Sequence, residues 1–235
     1  MMKLKEIKLS VIIPYYNEIR TIENLIQKIK NCKTKIHEII IVNDASTDNS
    51  YETLEKLKKE NQNIILIHSK KNNGKGKSIK IGLQYSSGNL VLIQDADLEY
   101  DPNDYNALIN PFINKSADVV YGSRFLGGEC RVIYYWHRVA NMFLTHFSNV
   151  FTNLNMTDIE TGYKIFKNEV LTKIEIEENR FGFEPEITAK ISKKNLRIYE
   201  VPISYDGRSY EEGKKIGFKD GIRAIYCIIK YNLFR

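Results

Sequence analysis

Four short apolar runs, each ending abruptly in polar residues, are spaced through the first hundred positions: Leu9-Ser10-Val11-Ile12-Ile13, Glu38-Ile39-Ile40-Ile41-Val42, Ile64-Ile65-Leu66-Ile67 and Leu90-Val91-Leu92-Ile93. Runs this short, rich in Ile and Val and without polar alternation, suit strands buried on both faces, as in a parallel sheet. Between the first two, Ile22, Leu25, Ile26 and Ile29 fall at the i, i+3, i+4, i+7 spacing of a helix with one buried face. A polar helix over about 48–60 and another over about 76–85, stopped by Gly88, separate the later runs. Strands alternating with helices predict an α/β fold with a doubly wound, mostly parallel central sheet and helices on both faces.

The pattern then loosens. A helix near 103–113 and a strand at Asp118-Val119-Val120-Tyr121 continue it, followed by a long aromatic segment of helical spacing over 132–151. A strand around 163–166, a helix over about 184–194 and a strand at 196–201 come next. From 216 to 235, Ile222, Ile225, Tyr226 and Ile229 share one face of an amphipathic helix. No repeat, low-complexity tract or linker interrupts the chain. Residues 1–235 therefore read as one domain, the second half closing over the carboxyl edge of the first.

Several function classes lose support. Cys32, Cys130 and Cys227 are widely spaced and odd in number, against a disulfide framework or a Cys-x-x-Cys metal site, and a reducing cytoplasm is expected. His37, His68, His137 and His146 share no metal-ligand spacing, and no Gly-x-Ser-x-Gly nucleophile motif occurs. The amino-terminal residues have no apolar core of signal-peptide length, and no run approaches the ~20 apolar residues that span a bilayer. The net charge of +6 could suit nucleic acid, anionic lipid or phosphorylated small molecules, of which nucleic acid is not expected as a partner.

The polar strand tips hold the candidate chemistry. The fourth strand runs into Asp95-Ala96-Asp97, placing hard oxygen ligands at the carboxyl edge where open α/β sheets bind ligands. Pro14, Tyr15 and Glu18 follow the first strand, and Asp44 and Ser46 the second, so these tips converge on a site able to hold a base and ribose. Thr47 and Asp48 are expected only to cap the next helix. Asn73-Gly74-Lys75-Gly76 opens a helix as a phosphate loop does, but without the spacing of the P-loop.

Taken together, Val11-Ile12-Ile13-Pro14 with Asn17-Glu18, Val42-Asn43-Asp44-Ala45-Ser46, Asn73-Gly74-Lys75-Gly76 and Asp95-Ala96-Asp97 resemble the family 2 glycosyltransferases of GT-A fold. The later segments Gly122-Ser123-Arg124, Asp158-Ile159-Glu160-Thr161-Gly162-Tyr163-Lys164, Arg180-Phe181-Gly182-Phe183-Glu184-Pro185-Glu186 and Gly207-Arg208-Ser209-Tyr210-Glu211-Glu212-Gly213-Lys214-Lys215 resemble the branch of dolichyl-phosphate mannosyltransferases and other polyprenyl-phosphate glycosyltransferases. The likeness extends from Ser10 to about Tyr231.

That resemblance implies a nucleotide-sugar half at 1–97, an acceptor half at 98–205, and a flexible loop with an amphipathic helix at 206–235. It implies donor contacts from Pro14, Tyr15, Glu18, Asp44, Ser46, Lys75, Asp95 and Lys214. Mg2+ or Mn2+ would be held by Asp95, Asp97 and Glu99, the last standing where many relatives carry Gln. Arg208 would close over the donor diphosphate, while Arg124 and Arg138 would grip an acceptor phosphate.

The implied reaction is inverting transfer of a hexose from GDP-mannose or a UDP-sugar to a polyprenyl or dolichyl phosphate. It would run on the cytoplasmic face of a membrane, through peripheral contact or a membrane-protein partner. Asp158 would be the base if the acceptor is a sugar hydroxyl, whereas for a phosphate acceptor Asp158 and Glu160 would orient the arginines or the sugar. Two alternatives stay open: a family 2 transferase acting on a sugar hydroxyl in cell-surface glycan assembly, and a sugar nucleotidyltransferase.

Overall fold

The computed structural model describes residues 6–213 and 217–234. Seven strands, β1 (Leu9–Tyr15), β2 (Ile36–Asn43), β3 (Ile64–His68), β4 (Leu90–Ile93), β5 (Val119–Ser123), β6 (Lys164–Lys167) and β7 (Ile198–Pro202), form one sheet. The helices are α1 (Ile22–Asn31), α2 (Tyr51–Glu60), α3 (Lys75–Tyr85), α4 (Tyr105–Asn114), α5 (Tyr135–Thr152), α6 (Asn168–Leu171), α7 (Phe183–Ser192) and α8 (Phe218–Leu233). A 3-10 turn at Pro102–Asp104 leads into α4.

The strand order is β3-β2-β1-β4-β6-β5-β7. The chain winds outward from β1 through β2 to β3, then returns to pair β4 with the other side of β1, so the order reverses between β1 and β4. Crevices at the carboxyl ends of strands beside such a reversal are where open α/β sheets bind ligands. The sheet is mostly parallel, as the apolar runs predict. The exception is β6, which slots antiparallel between β4 and β5.

Successive strand residues alternate between two cores. Val11 and Ile13 pack with Leu25 and Ile26 of α1, Leu54 of α2 and Leu108 of α4, while Ile12 faces Ile79 of α3, Leu144 of α5, Ile187 of α7 and Ile228 of α8. Helices on both faces explain why the strands carry so little polar alternation. The short α6 has no counterpart in the sequence reading.

Thr47 and Asp48 depart from their expected capping role. The α2 N-cap is Ser50, with no side-chain cap bond. Asp48 instead accepts from the Ile19 amide at 2.9 Å, and Thr47 donates its amide to Asn17 at 2.8 Å. These contacts lock the β1 and β2 tips together, because short polar side chains bond whichever loop amides lie nearest.

Candidate active site

A cavity of about 1500 Å³ opens at the carboxyl edge of β1 and β4 and runs out between α5 and α8. Pro14, Tyr15, Glu18, Asp44, Lys75, Asp95, Asp97, Glu99, Arg124, Arg138 and Arg208 all line it. Ser46 and Asp158 do not, and Lys214 lies outside the described residues.

At the β2 tip, Asp44 accepts from the backbone amides of Asn73, at 2.9 and 3.0 Å, and Gly74, at 2.6 Å, and so clamps the loop ahead of α3. Gly74 has φ of +98°, a left-handed conformation that favours glycine. Ser46 ties the tips from behind, its Oγ accepting from the Asn17 amide at 3.1 Å. Tyr15 is buried, and burial pushes its hydroxyl up to about 12.

The carboxylates beyond β4 are drawn together by a tight turn. Leu98 takes φ of +64°, strain that a bulky residue rarely carries and that clusters at functional sites. Asp97 is pushed up to about 7, first by burial and then by the charges of Asp95 and Glu99, against the pull of Arg208.

Two cations answer this negative charge. Lys75 reaches Asp95 at 2.7 Å and Glu184 at 2.9 Å, and these two charges raise its pKa although burial opposes them. Arg208 donates to both oxygens of Glu18 at 3.1 Å and to Asp97 at 3.3 Å, while its backbone amide donates to Glu99 at 2.9 Å. The Arg208 loop is tied down further by Tyr210, whose hydroxyl lies 2.7 Å from His137 Nε2 in α5, and by a 2.8 Å ion pair between Arg131 and Glu212.

Farther along the cavity Arg124 is gripped in two-pronged fashion by Asp158, at 2.6 and 2.7 Å, and also donates to Asn141 at 3.2 Å. The guanidinium lies 5.1 Å from the ring centroid of Tyr205 and 5.6 Å from that of Phe125. Asp158 is fully buried, and Glu200 holds its backbone amide at 3.2 Å. Arg138 stands at the exposed rim, its guanidinium 5.5 Å from the same Phe125 ring centroid.

Of three further buried charges, Glu184 and Lys164 carry no expectation from the sequence, and Glu160 is expected only to orient the arginines or the sugar. Glu184, in the first turn of α7, pairs with Lys75. Glu160 lines the cavity, its carboxyl pushed up to about 8 by burial and by Glu184. Lys164 is sealed under the floor with its ammonium on the Thr161 carbonyl, and burial brings it down to about 8. The available signal was the placement of acids beside core positions, as in Phe183-Glu184 ahead of Ile187.

Oxygen donors of this kind fit a hard divalent cation, Asp95, Asp97 and Glu99 being the residues that would hold it. Among the described residues no three acid, His or Cys side chains converge as a ready-made metal cluster. Arg208 stands among these acids instead. That arrangement remains compatible with Mg2+ or Mn2+, which commonly binds through one or two carboxylates together with substrate phosphates.

Residues 10–175, which include the β1, β2 and β4 tips and the Arg124–Asp158 pair, match the family described as Glycosyl transferase family 2. The chain belongs to that family. This family 2 glycosyltransferase is 27% identical over 230 residues to the dolichol-phosphate mannosyltransferase of Pyrococcus furiosus, covering 95% of the chain and 64% of the relative. It is 27% identical over 215 residues to the undecaprenyl-phosphate mannosyltransferase of Micrococcus luteus, covering 88% and 86%. Among solved structures, glucosyl-3-phosphoglycerate synthase from Mycobacterium tuberculosis, in complex with Mn2+ and UDP-Glc, superposes with a TM-score of 0.76 at 16% identity, covering 99% of this chain and 84% of that one. At that identity the likeness establishes a shared fold, the GT-A fold. Among the described residues no helix of this glycosyltransferase is long and apolar enough to cross a membrane.

Proposed function

We propose that this glycosyltransferase moves a hexose from a nucleotide sugar to a polyprenyl phosphate, inverting the anomeric centre, at the cytoplasmic face of a membrane. The observation that carries the reading is a single cavity with an acidic and cationic donor end, Asp95, Asp97 and Arg208, and a clamped guanidinium, Arg124, deeper along it. Beyond Arg124 the cavity becomes apolar, walled by Phe143 and Leu144 of α5 and Ala224 and Ile225 of α8. A phosphate on Arg124 and Arg138 would leave its hydrocarbon chain in that trough.

Pro14, Tyr15 and Asp44 form the wall for the nucleoside, and Lys75 adds positive charge near the diphosphate. A bound Mg2+ or Mn2+ would neutralise charge on the departing diphosphate. Arg208 supplies a fixed positive charge at the same end, where negative charge grows as the sugar bond breaks. Arg124 holds the incoming phosphate in line with the sugar, and Asp158 and Asn141 hold Arg124.

A phosphate monoester has a second pKa near ~6, so the acceptor is already nucleophilic at neutral pH and needs no base. A sugar hydroxyl would need one. Asp158 is poorly placed for that work, being fully buried with both oxygens engaged by Arg124. This supports a phosphate acceptor over a glycan hydroxyl.

The test is incubation with labelled GDP-mannose, UDP-glucose and UDP-N-acetylglucosamine, each with a short polyprenyl phosphate and Mn2+. Label that becomes lipid-extractable and acid-labile is expected. Label passing only to a water-soluble glycan would favour the hydroxyl acceptor, and release of pyrophosphate from a nucleoside triphosphate would favour a nucleotidyltransferase.

A further inference from the structure

A diphosphate at one end of the cavity and a phosphate at the other leave the sugar in the interval between them. Two cavity-lining carboxylates occupy that interval. Glu160 lies in the segment joining Asp158, which anchors Arg124, to Gly162, whose Cα packs so closely on Asp95 that an added Cβ would overlap its Oδ2. Glu184 reaches the same place from α7, with one oxygen on Lys75, itself bonded to Asp95. Both residues therefore stand between the groups assigned to the donor and those assigned to the acceptor.

Each also carries an unsatisfied acceptor. Glu160 Oε1 and Glu184 Oε2 are buried without a hydrogen-bond partner. Buried carboxylate oxygens are almost always paired, because stripping water from them without replacement is costly. A carboxylate turns readily about its terminal torsion, so a donor entering the cavity can recover the missing bonds. The missing partners are hydrogen-bonding groups, and a hexose brings a ring of hydroxyls, each able to donate to a carboxylate or to accept from a protonated carboxyl.

We propose that Glu160 and Glu184 form the sugar-recognition subsite of this cavity, hydrogen-bonding to hydroxyls of the donor hexose while Lys75 holds Glu184 in place. The inference rests on the proposed nucleotide-sugar donor. Glu160 and Glu184 grip the sugar and leave the nucleoside diphosphate to other residues, so substitution here changes affinity for the first ligand and not the second.

The experiment is calorimetric titration of the full chain, with Mn2+, against GDP-mannose beside GDP and UDP-glucose beside UDP. For Glu160→Gln the nucleotide sugar that wild type binds is expected to weaken about tenfold, the scale of one hydrogen bond, while its nucleoside diphosphate changes less than about twofold. Glu184→Gln, which keeps an amide oxygen for Lys75, is expected to show the same selective loss and stands in if Glu160→Gln does not fold. Equal losses for both ligands, or no loss for either, would overturn the subsite and leave the donor class intact. Failure of wild type to bind any of the four would overturn the donor reading, and the subsite with it.

Discussion

The Arg208 guanidinium lies 3.3 Å from the Asp97 carboxylate, although 111 residues separate them in the chain. Together with Glu18 and Glu99 this contact folds the Arg208 loop down onto the acidic turn after β4. A diphosphate entering here offers Arg208 a second anionic partner, and a divalent cation offers the acids a second cationic one. Donor binding and the position of this loop are therefore coupled by charge.

Arg208→Ala separates the two halves of that exchange. Losing a positive charge a few ångströms from Asp97 removes a repulsion of about 1 kcal/mol or more toward an incoming cation. Mn2+, followed by electron paramagnetic resonance without donor, should bind about tenfold more tightly to the variant. Turnover should nevertheless fall by ~10² to 10³, because no fixed guanidinium then faces the departing phosphate.

Asp97→Asn removes a carboxylate from the same turn while keeping its size. Transfer should drop at least about 100-fold, since both the cation and Arg208 lose a charged partner. Chelation of divalent ions should abolish wild-type transfer, with Mn2+ or Mg2+ restoring it. Undiminished transfer in either case would refute the metal assignment.

The Arg124–Asp158 pair distinguishes a positioning carboxylate from a base. Asp158→Ala leaves Arg124 with an uncompensated charge in a largely buried site, a loss of about 3 kcal/mol or more of folding stability. Asp158→Asn retains a hydrogen-bond acceptor and should fold. In that variant KM for polyprenyl phosphate should rise about tenfold or more, with the plateau of the pH–rate profile unmoved. A base at Asp158 would instead lower kcat and remove a titration from the profile.

Much of this arrangement can be traced in the sequence because burial on both sheet faces leaves strands such as Ile39-Ile40-Ile41-Val42 few alternatives to apolar residues. Acids that end such a run, as Asp95 and Asp97 do, are conspicuous. The antiparallel placement of β6 is less visible, since Lys164-Ile165-Phe166-Lys167 carries no mark of strand direction. Contacts between distant residues are also hidden: nothing near Arg124 announces Asp158, 34 residues away, as its partner. Glu184 looks like an ordinary first-turn acid favoured by the helix dipole, and only the fold reveals Lys75 against it.

Stability at low pH should depend on Asp118 at the head of β5. It binds Lys167 at 2.6 Å and Arg197 at 3.1 Å, joining the ends of β6 and β7. Burial alone would raise its pKa, but the hydrogen bonds from Arg197 and Lys167 outweigh this and hold it at about 2. A carboxyl depressed on folding stabilises the native state above its unfolded pKa, and that contribution disappears as pH falls toward the folded value. Melting from pH 7 to pH 2 should therefore show about 2 kcal/mol contributed by Asp118 at neutral pH and lost between about pH 4 and 2. Asp118→Asn should lower stability at pH 7 and converge with wild type near pH 2.

The mouth of the cavity supplies the remaining prediction. Val132, just ahead of α5, and Tyr135 and Trp136 in its first turn are 97%, 70% and 75% exposed, and Phe143 farther along α5 is 56% exposed. Across the opening, Ile222 of α8 is 54% exposed. A lipid phosphate reaching Arg124 through this opening would have its head drawn from the bilayer while its chain stayed in contact with lipid. Aromatic side chains with one polar end suit that headgroup layer. Each large side chain buried there contributes on the order of 1–2 kcal/mol. Trp136→Ala should thus weaken sedimentation with anionic phospholipid vesicles about tenfold, and Tyr135→Ala combined with it should weaken sedimentation further. Transfer to a short, water-soluble polyprenyl phosphate should be nearly unaffected, because neither side chain forms part of the Arg124 clamp. Equal loss on soluble and vesicle-borne acceptors would instead place these rings in the binding of the acceptor itself.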